Sequence, residues 1–130
     1  MFLQPEPCYF GSEGRLLFGC YHPPHGAVLR RIGVLLCYPV SAEYMRYHRI
    51  FVQMSRRLAA AGYPVFRFDY YGSGDSAGES SEATLDGWLW DIDAATKELR
   101  GRCGLIHVQH LATDASITCF GPPHRREFVS

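Results

Sequence analysis

Apolar positions along the chain follow two periods, one typical of strands and one typical of helices. Residues 8–10 and 15–21 are short β-prone runs joined by Gly-Ser-Glu-Gly, which predicts an antiparallel hairpin. Residues 32–38 form a nearly continuous apolar run, as in a strand buried on both faces. Residues 65–68 are again β-branched or aromatic and predict a strand, opened by Pro64.

Two helical patterns flank that last strand. Over residues 47–61, apolar side chains recur at steps of three and four, and Gly62 stands where a helix C′ residue is expected. The second helix is predicted to start after Thr84, a suitable N-cap, and to close at Gly101. Its buried stripe is predicted to consist of Leu85, Trp88, Leu89, Ile92, Ala95 and Leu99.

This alternation of helices and strands predicts an α/β fold, with an N-terminal β-hairpin followed by parallel strands and helices. A further strand is expected over residues 105–108, after which the periodicity fades. We therefore divide the chain into residues 1–103, one α/β unit, and residues 104–130, a weakly patterned strand and an irregular tail. In parallel sheets, ligands gather at the carboxyl ends of strands.

Composition and charge narrow the possible functions. The 130 residues are 47% apolar, enough for an ordinary core, and 13 basic residues balance 13 acidic ones. We therefore expect no nucleic-acid or membrane partner. The N-terminus has no basic, apolar leader, and the five cysteines include no C-x-x-C pair, so we predict reduced thiols in a cytoplasmic protein. The cysteines are Cys8, Cys20, Cys37, Cys103 and Cys119.

A Gly-rich turn follows the strand over residues 65–68. Residues 72–77 formally match the dinucleotide pattern G-x-G-x-x-G/A, but no helix opens directly at the turn and nearby acidic residues would repel phosphate. We therefore expect no nucleotide to bind at this turn. Asp and Ser in such a turn usually bond to local backbone N–H groups, although Asp69 with Asp75 could form a carboxylate pair and Ser73 or Ser76 could be a nucleophile. The residues predicted to hold the turn are Asp69, Gly72, Gly74, Asp75 and Ser76.

Three segments together resemble a known family. Residues 34–39, 58–63 and 67–76 are similar to the amino-terminal half of the α/β-hydrolase superfamily, including serine aminopeptidase-like hydrolases. Residues 37–46 resemble in particular the hydrolases associated with bacterial exosortase systems. The resemblance covers roughly residues 8–108 and implies a partial α/β-hydrolase fold with three αβα layers.

The resemblance also implies a chemistry and a site. Its parent reaction is serine-dependent hydrolysis of a small-molecule ester or amide, without metal or organic cofactor. The backbone N–H of Val40, with Ser41 close by, would take the place of half the oxyanion hole, whereas Pro39 has no N–H to donate.

The catalytic centre of that family is missing from the expected place. No G-x-S-x-G follows residues 105–108; Ser116 is flanked by Ala and Ile, and His124 follows too closely to form a triad with Ser116 and Asp114. We therefore expect a truncated or frame-shifted hydrolase, with residues from about 104 onward out of frame, that is inactive as this chain. The alternative is a noncatalytic module that pairs through its open sheet with a partner chain.

A metal site is a further possibility near the end of the chain. His107 and His110 lie near Cys103 and Cys119 in the sequence. Residues three apart on a strand face opposite sides of the sheet, and the spacing matches no zinc motif. We therefore expect no metal.

Overall fold

The computed structural model describes residues 4–37, 44–71, 76, 78, 85–104 and 107–112. Strands and helices follow one another in the predicted order, so the α/β class and the opening hairpin are confirmed. The elements are β1 (Glu6–Ser12), β2 (Arg15–His22), β3 (Gly33–Cys37), α1 (Tyr44–Ala60), β4 (Val65–Phe68), α2 (Leu85–Cys103) and β5 (Val108–Ala112).

The five strands form one mixed sheet in the order β1-β2-β4-β3-β5. Strands β1, β2 and β4 pair antiparallel, whereas β3 pairs parallel with β4 on one side and with β5 on the other. Strand β3, which lies between β4 and β5, is buried at every residue, as its continuous apolar sequence predicts. The three parallel strands therefore point the same way and end at one edge of the sheet.

Helix α1 covers one face of this sheet. Facing residues of an antiparallel ladder point to the same side, and the register pairs Cys20 with Arg67 and His22 with the start of β4. The Nε–H of Arg67 donates to Nε2 of His22 at 3.0 Å. Arg56 of α1 lines the same cavity as His22, which places the helix on that side.

Helix α2 covers the opposite face. A Cβ atom on Gly33 would lie 3.2 Å from the Leu99 side chain of α2. On the same face, Thr96 of α2 contacts His110 of β5 at 2.9 Å. The two helices therefore enclose the sheet in three αβα layers, as the family resemblance implies.

Aromatic side chains fill the core between the sheet and α2. The ring of Phe10 meets those of Phe66 and Phe68 edge-on, at centroid distances of 5.2 and 6.3 Å. Gly19 makes room for this cluster, because a Cβ there would lie 2.4 Å from the Phe66 ring. Rings in edge-to-face geometry add about 1 kcal/mol each beyond the burial of their area.

The end of α1 follows the prediction closely. Gly62 has a φ of +97°, its N–H donates to the carbonyl of Ala59 at 3.0 Å, and the N–H of Tyr63 donates to the carbonyl of Leu58 at 3.0 Å. These two bonds are the pair that defines a Schellman motif. The start of the helix, however, lies three residues before the predicted residue 47, at Tyr44.

Two predicted boundaries near the end of the chain are wrong. Helix α2 continues through Gly101 to Cys103 and ends at Gly104, whose φ of +69° is the left-handed conformation that terminates helices. Because the helix is longer, the last strand comes later, at Val108–Ala112 instead of residues 105–108. It pairs regularly with β3, although the sequence offers only a faint strand pattern there.

Candidate functional site

The three parallel strands end level with one another. Cys37 of β3 is in register with Phe68 of β4 and with Ala112 of β5. We call the region where these strands end the carboxyl edge. It is the edge at which parallel sheets place their ligands and chemistry.

Ser76 ties the turn after β4 to the hairpin. Its Oγ accepts the backbone N–H of Phe18 at 2.8 Å and donates to the backbone carbonyl of Asp69 at 2.5 Å. Asp69 in turn donates its N–H to the Phe18 carbonyl at 2.9 Å. One hydroxyl therefore holds two separate segments of backbone together.

Ser76 also belongs to a sequence that resembles a nucleophile motif. Residues 74–78 read Gly-Asp-Ser-Ala-Gly and match G-x-S-x-G. A nucleophile elbow sits on the tight turn directly between a strand and a helix, with the serine Oγ exposed. Ser76 instead follows the end of β4 by eight residues, and its Oγ is directed to backbone groups.

Asp91 forms a second tie at the carboxyl edge. Its carboxylate accepts Nε–H of Arg15 at 2.9 Å and the backbone N–H of Tyr71 at 2.8 Å. The Asp91 side chain is only 1% exposed, and the Arg15 guanidinium also lies 4.2 Å from the centre of the Tyr71 ring. Hairpin, turn and helix α2 thus meet at one buried carboxylate.

Sequence reasoning missed Asp91, although a signal was present. The residue lies three positions after Trp88 and four before Ala95, inside the apolar stripe of α2. A carboxylate on the buried face of a helix requires a partner, because an unpaired buried charge is costly. Its partners lie 76 and 20 residues away, so the sequence could not identify them.

Cys37 ends β3 directly at this edge but is not poised to react. The residue is 1% exposed, and burial raises the pKa of its thiol to about 12. The thiolate is the reactive form of cysteine, and this pKa leaves almost none at neutral pH. Burial also raises the pKa of Cys20.

The histidine of β5 is engaged with helix α2. Thr96 donates its hydroxyl hydrogen to the carbonyl of Ile92 at 2.7 Å, so its oxygen is left to accept a hydrogen bond from Nε2 of His110. Burial and the nearby Arg100 lower the pKa of His110. The neutral His110 ring, with its hydrogen on Nε2, therefore links β5 to α2 through a hydrogen bond to Thr96.

The described residues thus form a framework and not a catalytic dyad. Among them, no hydrogen bond joins a Ser or Cys to a histidine base, and no three His, Cys, Asp or Glu side chains are grouped to hold a metal ion. The remaining predicted site residues lie outside the described part of the chain. They are Val40, Ser41, Gly72, Gly74, Asp75, Asp114, Ser116 and His124.

A second polar cluster lies at the opposite edge, where the parallel strands begin. His22, the last residue of β2, is 4% exposed and pairs in register with Val65. Burial, together with the positive charges of Arg67 and Arg56, lowers the pKa of His22 to about 4. The ring is therefore neutral at pH 7.

The low pKa of His22 predicts that the protein loses stability in mild acid. Because the pKa of His22 is lower in the folded state than in the unfolded chain, stability is complete above about pH 6.5 and declines as the pH falls toward 4. We expect a loss of about 2 kcal/mol in the free energy of unfolding between these values, after allowance for solvent screening. Urea unfolding at a series of pH values measures it.

The matched variant is His22→Gln, which cannot gain a proton. The pKa of His110 is also lowered by folding, so both proteins lose stability in acid. The contribution of His22 is therefore the difference between the two proteins in the slope of the free energy of unfolding against pH. An identical slope in His22→Gln would show that His22 does not contribute.

Comparisons with known proteins identify the fold. No protein-family model and no curated protein sequence matches the chain. Among solved structures, it is similar to a lidless α/β serine hydrolase from Xanthomonas campestris (TM-score 0.73, 18% identity, 91% of this chain and 56% of that one). It is also similar to an α/β serine hydrolase homologue from Coxiella burnetii (TM-score 0.67, 13% identity, 86% and 53%).

A third similar structure is a soluble variant of the monoglyceride lipase of Saccharomyces cerevisiae (TM-score 0.63, 21% identity, 86% and 37%). The chain thus spans about half or less of the length of these proteins. None of the helices in the described segments is long and apolar enough to cross a membrane. Because fold similarity at this level of identity concerns the backbone and not the chemistry, the comparisons establish that the chain has a partial α/β-hydrolase fold.

Proposed function

We propose that this chain is the amino-terminal part of a serine hydrolase and does not by itself catalyse hydrolysis. The parent reaction is the transfer of an acyl group from a small ester or amide to water through a serine ester. It requires no metal and no organic cofactor. The similarity to an α/β serine hydrolase and a lipase supports the parent chemistry, and the chain's own residues support its inactivity.

The bonds of Ser76 are the observation that carries this proposal. A serine nucleophile must give its proton to a base, which is usually a histidine. Ser76 occupies the one G-x-S-x-G match in the sequence, yet its Oγ donates to the Asp69 carbonyl and accepts from Phe18. Its hydroxyl is therefore used for structure at both the donor and the acceptor side.

A fluorophosphonate probe, which labels activated serines covalently, tests the proposal. We expect no labelling of this chain under conditions that label an active esterase completely, because no described serine is bonded to a base. The readout is the intact mass of the protein after incubation.

Two variants locate any serine that reacts. Labelling that disappears in Ser116→Ala would reveal a nucleophile in the region after β5 and would refute inactivity. Labelling that disappears in Ser76→Ala, with the protein still folded, would refute the structural role of Ser76.

The second candidate function is a noncatalytic module that pairs with another chain. Among the described strands, β5 pairs with β3 on one side and forms an edge of the sheet on the other, where a further strand could pair with it. A partner bearing the rest of a hydrolase would add strands there. Purification from the native cell tests this function, with a partner at equal stoichiometry as its expected result and the chain alone as the opposing one.

The proposal also includes an association with exosortase systems and a location in the cytoplasm. The association with exosortase systems rests on residues 37–46, of which only Cys37 and the backbone from Tyr44 onward are described. The cytoplasmic location is supported by the cysteines that the structure describes, since Cys8, Cys20, Cys37 and Cys103 are all free thiols.

A further inference from the structure

A cavity opens at the edge of the sheet opposite to the carboxyl edge. It has a volume of about 670 Å³ and lies between the end of β2 and the carboxyl-terminal half of α1. Small-molecule sites usually measure about 300 to 1,000 Å³. We call it the basic cavity, and its lining includes Gln53, Arg56 and Arg57 of α1, His22 of β2, and the apolar Pro23 and Ala59.

The polar lining of the basic cavity is rich in hydrogen-bond donors. Gln53, Arg56 and Arg57 are three and four residues apart on α1, so they share one face of the helix. The Nε2 of His22 accepts from Arg67, which leaves the hydrogen of the neutral ring on Nδ1, a further donor. Among the described residues, no Asp or Glu lines the cavity.

No described carboxylate forms an ion pair with the two arginines of the basic cavity. Arg56 and Arg57 are both exposed, and neither forms an ion pair within the part of the chain that the structure describes. The ion pairs of the described basic residues involve Arg15, Lys97 and Arg102. Burial is the main cause of the low pKa of His22, and the positive charges of Arg67 and Arg56 lower this pKa in the same direction.

We propose that the basic cavity binds a small organic phosphate monoester. The phosphate would be held by the guanidinium groups of Arg56 and Arg57, which match phosphate oxygens in charge and geometry. The organic group would lie against Pro23 and Ala59. A phosphate monoester carries nearly two negative charges at pH 7 and so balances two guanidinium groups, whereas a ligand with a single carboxylate balances only one.

The chemistry of the cavity restricts it to binding. Its polar lining supplies donors and cations, and Nε2 of His22, the basic nitrogen of the ring, already accepts a hydrogen bond from Arg67. The cavity lies at the start of the parallel strands, away from the carboxyl edge, so ligand binding is independent of the hydrolase chemistry proposed above. The cavity can therefore bind a phosphate monoester even if a fluorophosphonate probe does not label the chain.

Isothermal titration of the full chain with phenyl phosphate tests the proposal. We expect saturable binding that weakens with added salt and is at least ten-fold tighter than the binding of phenol, inorganic phosphate or benzoate. In the double variant Arg56→Gln/Arg57→Gln we expect the affinity to fall at least ten-fold. In the control variant Arg49→Gln, an exposed arginine of the same helix outside the cavity, we expect no change.

Several results would overturn the proposal. These are the absence of binding up to about 10 mM phenyl phosphate, equal binding by the double variant, or equal loss in Arg49→Gln. Equal affinity for inorganic phosphate would exclude the organic subsite, and equal affinity for benzoate would exclude the preference for phosphate. Circular dichroism is expected to show that all variants are folded, because the substituted arginines are exposed.

Discussion

Replacement of Asp91 by alanine is expected to lower the free energy of unfolding by about 3 kcal/mol. The carboxylate is 1% exposed and binds both the Arg15 guanidinium and the backbone N–H of Tyr71. Its removal leaves a half-buried cation and a backbone donor without their acceptor. Both groups had lost water on folding, so the cost exceeds that of a surface ion pair.

Asp93→Ala is the matched control, because it removes a carboxylate two positions away on the same helix. Asp93 pairs with Lys97 at 2.9 Å, but both side chains are well exposed, and such pairs contribute about 0.3 to 0.5 kcal/mol. Urea unfolding at pH 7 compares the two variants. A similar small loss in both would show that the buried carboxylate does not hold hairpin, turn and helix together.

Replacement of Ser76 by alanine is expected to cost about 2 kcal/mol and to reduce the yield of folded protein. The variant removes the acceptor of the Phe18 N–H and a donor to the Asp69 carbonyl at the same time. Two backbone groups then lose their partner, and the turn after β4 loses its link to the hairpin. The measurement is the urea midpoint together with the soluble fraction after expression.

Ser55→Ala provides the comparison for this variant. The Ser55 hydroxyl is buried and donates to the carbonyl of Phe51, four residues earlier in the same helix. That carbonyl can already accept the helical backbone hydrogen bond, so we expect a smaller loss of stability than in Ser76→Ala. Normal stability of Ser76→Ala would contradict the structural role.

The local pattern of apolar positions predicted most of the framework, because helices and strands are encoded by residues that are close in sequence. The Schellman end of α1 at Gly62 is an example, since all its hydrogen bonds span five residues or fewer. The prediction for the last strand is wrong for two reasons. Its pairing partner β3 lies about 75 residues earlier in the chain, and two polar residues, Gln109 and His110, interrupt the apolar pattern of β5.

The functional features were harder to predict, because they depend on residues brought together by the sheet. The turn role of Ser76 was expected from its residue type, but its bond to Phe18 spans 58 residues. The basic cavity combines the end of β2 with Gln53 and later residues of α1, more than 30 residues further along the chain, and nothing in either segment alone indicates a shared site. Sequence periodicity carries no information on which distant side chains meet.

The position of β4 in the sheet determines the order in which the protein can form on the ribosome. Strand β4 lies between β2 and β3, although it follows both in the chain. The β1–β2 hairpin can form as soon as its residues are available, whereas β2 and β3 gain their common neighbour only after Phe68 has been synthesised. Such non-local pairing slows folding. Strands β2 and β3 therefore stay unconnected in the nascent chain until just over half of the 130 residues have been made.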